Sequence, residues 1–285
     1  MASLQAEVAV DVRCELGEGP AWDSRTGELI WVDIIGKRVY RWHPTGRVEW
    51  SQLDTSVGAV VPRAIGGFAV AVREGFAALD TAGRLTILAE IEADRPGNRM
   101  NDGKCDRLGR FWAGTMADND EPRVGAFYRL DPDGHVARVL AGVTTSNGLA
   151  WSPDWTTMYY IDSPTGGVDA FDFEEAGGLI TNRRRLITIP RADGLPDGMT
   201  VDSEGCLWIA LYGGGAVRRY EPAGILASIV PVRASLVTSC SFGGADLADL
   251  YITTAADRHP HEPLAGAIFC CQPGVAGMPT YSFSG

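Results

Sequence analysis

The chain has 285 residues, with 25 Lys and Arg against 36 Asp and Glu, a formal net charge of −11 at pH 7. Arg183-Arg184-Arg185 is the one basic triplet, so the basic footprint of a nucleic-acid-binding protein is absent. No stretch approaches the roughly 18 to 20 continuous apolar residues of a membrane span, and Glu7, Asp11 and Arg13 break any apolar signal-peptide core. A cytoplasmic protein is predicted, with neither nucleic acid nor membrane as partner.

Six cysteines, at 14, 105, 206, 240, 270 and 271, include no C-x-x-C pair, and in that compartment they are expected as free, mostly buried thiols. Glycine accounts for 35 residues, well above the average of about 7%. Many short strands joined by tight turns fit that composition.

Taken along the chain, the segment Glu7 to Arg13 alternates apolar and polar residues and reads as a strand. Six β-rich runs follow, mostly introduced by Asp or Gly turns: Gly27 to Asp33, Gly66 to Val72, Gly109 to Thr115, Thr157 to Asp162, Gly205 to Leu211 and Asp249 to Thr254. Their starts are 39, 43, 48, 48 and 44 residues apart, the period of a four-stranded propeller blade. A further strand follows several of them, as in Val39 to Gly46, Phe127 to Gly134, Val168 to Phe173 and Val217 to Gly224. No window shows a sustained 3.6-residue period, so helix should be scarce. The expectation is an all-β, six-bladed propeller of four-stranded antiparallel blades occupying residues 1–285 as one domain. The N-terminal strand should complete the last blade and hide two sheet edges.

Ligands of a propeller converge on its central channel, so polar residues recurring at one place in different blades are the informative ones. Leu16-Gly-Glu18-Gly-Pro20, Asn101-Asp102-Gly103, Asn147-Gly148 and Asp197-Gly198 meet that criterion, with Asn101, Asn147 and Asp197 separated by 46 and 50 residues. Asn-Gly and Asp-Gly are also common turn dipeptides. Here, however, they lead into the apolar runs Leu149 to Trp151 and Met199 to Val201, which places them at the starts of inner strands. Glu18, Asn147 and Asp197 together offer two carboxylates and one amide oxygen. That hard-oxygen set suits Ca²⁺, Mg²⁺ or Mn²⁺, and Zn²⁺ less well. His259-Pro-His261-Glu262 is a lesser metal candidate and reads better as a solvated lid. Cys240 is expected to have no nearby His or Lys that would lower its pKa and reads as a core thiol.

The stretches G-E-G-P at 17–20, N-R-M-N-D-G-K at 98–104, G-R-F-W-A-G-T-M at 109–116, S-N-G-L at 146–149, V-D-A-F-D-F at 168–173, P-D-G-M at 196–199, C-S-F-G-G at 240–244 and Y-S-F-S-G at 281–285 resemble the senescence-marker/gluconolactonase/luciferin-regenerating family of six-bladed propellers. The resemblance implies a lactonase with a divalent metal held by Glu18, Asn147 and Asp197, and with Arg99 and Asn101 meeting the hydroxyls of an aldonolactone. One departure stands out: the segment Ala117 to Val124 is several residues shorter than in close family members. Asn119 falls where an acidic residue is expected, with Asp118 beside it as a further candidate substrate contact.

A metal that polarises a lactone carbonyl and activates water makes a serine nucleophile unnecessary, and no G-x-S-x-G motif occurs. Asp197 is then the candidate general base. The competing readings are a hydrolase of another electrophile, such as a phosphotriester, and a non-catalytic calcium-binding regulatory propeller.

Overall fold

In the computed structural model the described residues are 4–257 and 261–285. The strands come in chain order as β1 (Glu7–Val10), then a first blade of β2 (Gly17–Asp23), β3 (Glu28–Asp33), β4 (Arg38–His43) and β5 (Arg47–Gln52). The second blade contains β6 (Val57–Pro62), β7 (Phe68–Val72), β8 (Gly75–Leu79) and β9 (Leu85–Glu90), and the third β10 (Asn98–Cys105), β11 (Phe111–Ala117), β12 (Gly125–Leu130) and β13 (Val136–Val143). The fourth contains β14 (Ser146–Trp151), β15 (Thr157–Asp162), β16 (Gly167–Glu174) and β17 (Leu179–Thr188). The fifth contains β18 (Leu195–Val201), β19 (Leu207–Tyr212), β20 (Ala216–Tyr220) and β21 (Leu226–Pro231). The sixth contains β22 (Val237–Gly243), β23 (Asp249–Thr254) and β24 (Ile268–Cys271), and β1 completes it in the order β1-β24-β23-β22. Six four-stranded antiparallel sheets thus form a six-bladed propeller closed by its N-terminal strand.

The recurrent runs of the sequence are the second strands of their blades. Glycine and aspartate turns precede them because each must leave the inner strand through a tight reversal. Two blades share a side-chain pin at that reversal: Asp106 Oδ2 accepts from Trp112 Nε1 at 2.8 Å, and Asp202 Oδ2 accepts from Trp208 Nε1 at 2.8 Å. Both carboxylates are fully buried, so each indole N–H enters the core already partnered. Inner strands such as β6 and β14 are buried along their whole length, whereas in the outer strands β5, β9 and β21 half or more of the residues are exposed. That gradient reflects inner strands walled by neighbouring blades on both sides.

Helix among the described residues is confined to two single 3₁₀ turns, Ser163–Thr165 and Arg191–Asp193. No helix there is long and apolar enough to cross a membrane. All six cysteines are free, five of them buried.

The C-terminal tail runs under the propeller and ties four blades together. Met278 N donates to Val201 O, Trp22 N donates to Thr280 Oγ1, Phe283 N donates to Pro62 O, and Ser284 N donates to Gly109 O. Phe283 is buried among blade residues of the second and third sheets. Beside the tail the channel narrows to a cavity of about 50 Å³, whose lining includes Asp102, Lys104, Trp151, Thr200, Ser239 and Tyr281.

Candidate functional site

Every inner strand breaks its register with the second strand at the same height. The shifts lie between Glu18 and Ala21, Val57 and Ala59, Met100 and Gly103, Ser146 and Leu149, Pro196 and Met199, and Val237 and Ser239. A bulge leaves a residue unpaired and re-aims its side chain. Asn101, Asn147 and Asp197 occupy three of these bulges, and Glu18 is the last paired residue before a fourth. The sequence reading placed these residues at strand starts; they lie inside the strands, and the bulges set them apart from the pairing on either side.

Glycines make the ring possible by letting adjacent inner strands touch. A Cβ on Gly148 would sit 2.6 Å from Asp197 O, and one on Gly198 would sit 2.0 Å from Ser239 Oγ. Gly19, after Glu18, has φ +53°, a conformation that side-chain-bearing residues adopt at a cost.

The amides form a connected network. Asn101 Nδ2 donates to Asn147 Oδ1 at 3.0 Å and to Ser146 O at 2.7 Å, while Asn147 Nδ2 donates to Ser163 Oγ at 2.8 Å. Ser163 Oγ donates in turn to Pro196 O at 2.7 Å, beside Asp197. Arg99 Nη1 donates to Asn101 Oδ1 at 2.6 Å and to Met100 O at 3.0 Å. Asn147 therefore presents its oxygen, not its nitrogen, toward Asn101, and four residues of the ring are held by side-chain bonds rather than by loop packing alone.

Three carboxylates are buried here: Glu18, Asp102 and Asp197. Burial, reinforced by the Asp102 charge, pushes the Glu18 carboxyl up to about 8. Asp197 is raised well above the ordinary carboxylate range, first by burial and then by the charges of Glu18 and Asp102, with Arg99 opposing. Asp102 is also raised by burial, with Lys104 opposing. Burial lowers both Arg99 and Lys104. Within this crowd Asp197 Oδ1 is buried without a hydrogen-bond partner. An orphaned carboxylate oxygen among like charges is an unusual expense in a protein interior, and it marks a position where a cation or a proton is wanted.

No group of three or more His, Cys, Asp or Glu able to hold a metal occurs among the described residues. Glu18, Asn147 and Asp197 bring two buried carboxylates and one buried amide from the first, fourth and fifth blades. Of the alternative metal motif, His259 lies outside the described residues, and Glu262 accepts from Ser235 N and Ser235 Oγ.

Asp118 sits at the rim, 2.8 Å from Arg73 Nη1 and 3.7 Å from Arg99 Nε. The short segment after β11 thus still directs a carboxylate at Arg99. Asn119 is exposed, and its Oδ1 accepts from Glu121 N at 3.2 Å. Sequence reasoning assigned no role to Asp102, Lys104 or Ser163. Asp102 and Lys104 were readable as a polar pair two residues apart in a strand otherwise buried, since Lys in such a strand is an outlier.

Comparison with known proteins agrees with this architecture. Residues 16–256 match the SMP-30/Gluconolactonase/LRE-like region. The chain belongs to this family. It is 41% identical to a regucalcin of Danio rerio, each chain being covered completely. A solved structure described as a calcium-binding protein, regucalcin, from Agrobacterium tumefaciens superimposes with a TM-score of 0.94 at 29% identity, covering 99% of both chains. A gluconolactonase from Xanthomonas campestris, described as important in glucose secondary metabolic pathways, superimposes with a TM-score of 0.76 at 26% identity, covering 93% of this chain and 88% of that one.

Proposed function

We propose that the chain is a divalent-cation-dependent lactonase that hydrolyses a sugar aldonolactone of the glucono-1,5-lactone type to the aldonic acid. The observation that carries this reading is the unpartnered, buried Asp197 Oδ1 of a carboxyl that feels the charge of a second buried carboxylate, Glu18, with the buried amide of Asn147 fixed by Asn101 on the strand beside it. Hard oxygen donors of this kind match Ca²⁺, Mg²⁺ and Mn²⁺ better than Zn²⁺, and two carboxylates neutralise a dication. The family membership and the likeness to a gluconolactonase support lactone chemistry, and the likeness to a calcium-binding regucalcin supports the cation.

A bound divalent cation supplies polarisation of the lactone carbonyl and acidification of water. Glu18, Asn147 and Asp197 hold it. Arg99 and Asn101 orient the sugar by its hydroxyls, their own positions fixed by the Arg99–Asn101 and Asn101–Asn147 bonds. Asp197, whose raised affinity for protons comes from burial and from Glu18, accepts the proton of the attacking water. Asp118 stands at the rim beside Arg99 as a further contact for hydroxyls.

The test is a rate assay on glucono-, xylono- and galactonolactone with metal-free and cation-loaded protein, alongside calorimetric cation titration. Cation-dependent hydrolysis is expected; cation binding without turnover would leave a non-catalytic calcium-binding propeller, and turnover of a phosphotriester alone would replace the substrate class.

A further inference from the structure

Lys104 lies on β10, the strand that carries Arg99 and Asn101. Its side chain reaches beyond its own blade: Lys104 Nζ donates to Met199 O at 2.8 Å, across to β18 of the fifth blade, with the fourth blade between them in the ring. Met199 is the residue at which β18 regains its pairing after the bulge that holds Asp197. The ammonium also faces the Asp102 carboxylate, whose proton affinity it opposes, and the thiol of Cys240 on β22. It lines the cavity beside the C-terminal tail. A cation placed in such an interior is costly unless its bonds do something that an apolar side chain cannot.

We infer that Lys104 is a positioning residue that ties the substrate-orienting strand to the carboxylate-bearing strand and so holds Asp197 in the geometry that binds a divalent cation. The inference rests on the cation-site reading above. Lys104 touches neither cation nor substrate; it acts through the β18 backbone. Without its bond, the end of the Asp197 bulge at Met199 loses a side-chain anchor from the third blade. Arg99 and Asn101 keep their own bonds to Met100 O and Ser146 O. Cation binding should therefore suffer while the grip on substrate hydroxyls does not.

The experiment is calorimetric titration of the full-length, metal-free chain with Mn²⁺, on wild type, Lys104→Met and Lys104→Arg, together with kcat and KM for glucono-1,5-lactone at saturating Mn²⁺. Lys104→Met is expected to weaken Mn²⁺ binding tenfold or more and to lower kcat, with KM unchanged within about twofold. Lys104→Arg retains charge and donors and has the cavity beside it for the larger head, so its affinity should stay within about threefold of wild type. Lys104→Gln, too short to reach Met199, should show the same loss as Lys104→Met and serves where the Met variant does not fold. Mn²⁺ affinity within twofold of wild type in a folded Met or Gln variant would overturn the inference, as would an Arg variant as weak as the Met variant. Failure of the wild type itself to bind Mn²⁺ would overturn the cation-site reading beneath it, a result distinguishable from the others.

Discussion

Asn101 Nδ2 donates to Asn147 Oδ1 at 3.0 Å, joining the residue assigned to substrate hydroxyls directly to one assigned to the cation. The two roles are therefore separable only in degree. Asn101→Ala should lower kcat/KM by about 10- to 10³-fold, consistent with the loss of one or two buried hydrogen bonds to a charged or developing-charge partner at ~1.5 to 3 kcal/mol each. Cation affinity should fall much less than in Asp197→Ala, because Asn147 keeps its bond to Ser163. Steady-state kinetics with parallel cation titrations check this; equal loss of cation in both variants would make Asn101 a ligand.

The raised Glu18 carboxyl has a consequence for stability. Its folded value of about 8 stands above the ordinary 4.5, so the folded, cation-free chain holds a proton that the unfolded chain releases. The stabilisation is complete below about pH 4.5 and is lost as pH rises through about 8. Asp197 acts in the same direction. The melting temperature of the cation-free protein should thus fall between about pH 5 and 8. Glu18→Gln should flatten that fall and melt higher than wild type at the alkaline end. Scanning calorimetry across pH decides it, a steeper fall in the Gln variant being the contrary result.

Asp118 bridges Arg73 and Arg99, yet its side chain is 44% exposed. Pairs this open to water contribute about 1 kcal/mol or less. Asp118→Ala should consequently change kcat/KM by less than about tenfold for any aldonolactone. With the segment 117–124 short, native rates should also lie within about tenfold across five- and six-membered lactones differing at a remote hydroxyl. A strong native preference erased by Asp118→Ala would show that this carboxylate decides substrate choice instead of adding a weak rim contact.

The tail offers a test of architecture apart from chemistry. Phe283 is 2% exposed and packs with Phe76, Phe111 and Leu130 of two blades. Phe283→Ala should destabilise the fold by about 3 kcal/mol or more, as large-to-small core changes do, while cation affinity at low temperature stays near wild type. Chemical denaturation measures the first and calorimetry the second.

The propeller was legible because its second strands repeat one local problem, a tight Asp- or Gly-led reversal followed by an apolar run. Each solution is written in adjacent residues such as Gly109 to Thr115. The closing strand β1 was legible for a similar reason, since an amphipathic strand ahead of the first repeat has one open edge to fill. Asn101, Asn147 and Asp197 could be grouped by their blade spacing of 46 and 50 residues. What could not be read was the register break on each inner strand, because a bulge is decided by how two strands and their neighbours fit rather than by either strand alone. The contacts that Asp102 and Lys104 make were hidden for the same reason. In sequence they look like part of an Asn-Asp-Gly turn, and the partner that explains Lys104, Met199 O, is 95 residues away.

The central claim is that the Glu18, Asn147 and Asp197 ring holds a divalent cation required for lactone hydrolysis. The most direct measurement is the initial rate of glucono-1,5-lactone hydrolysis by the full chain before exhaustive chelation, after it, and after return of Ca²⁺, Mg²⁺, Mn²⁺ or Zn²⁺, with circular dichroism confirming that the fold persists. Activity lost on chelation, restored by at least one of the hard cations and not restored in Asp197→Ala is the predicted result; undiminished hydrolysis by the metal-free chain would contradict the account.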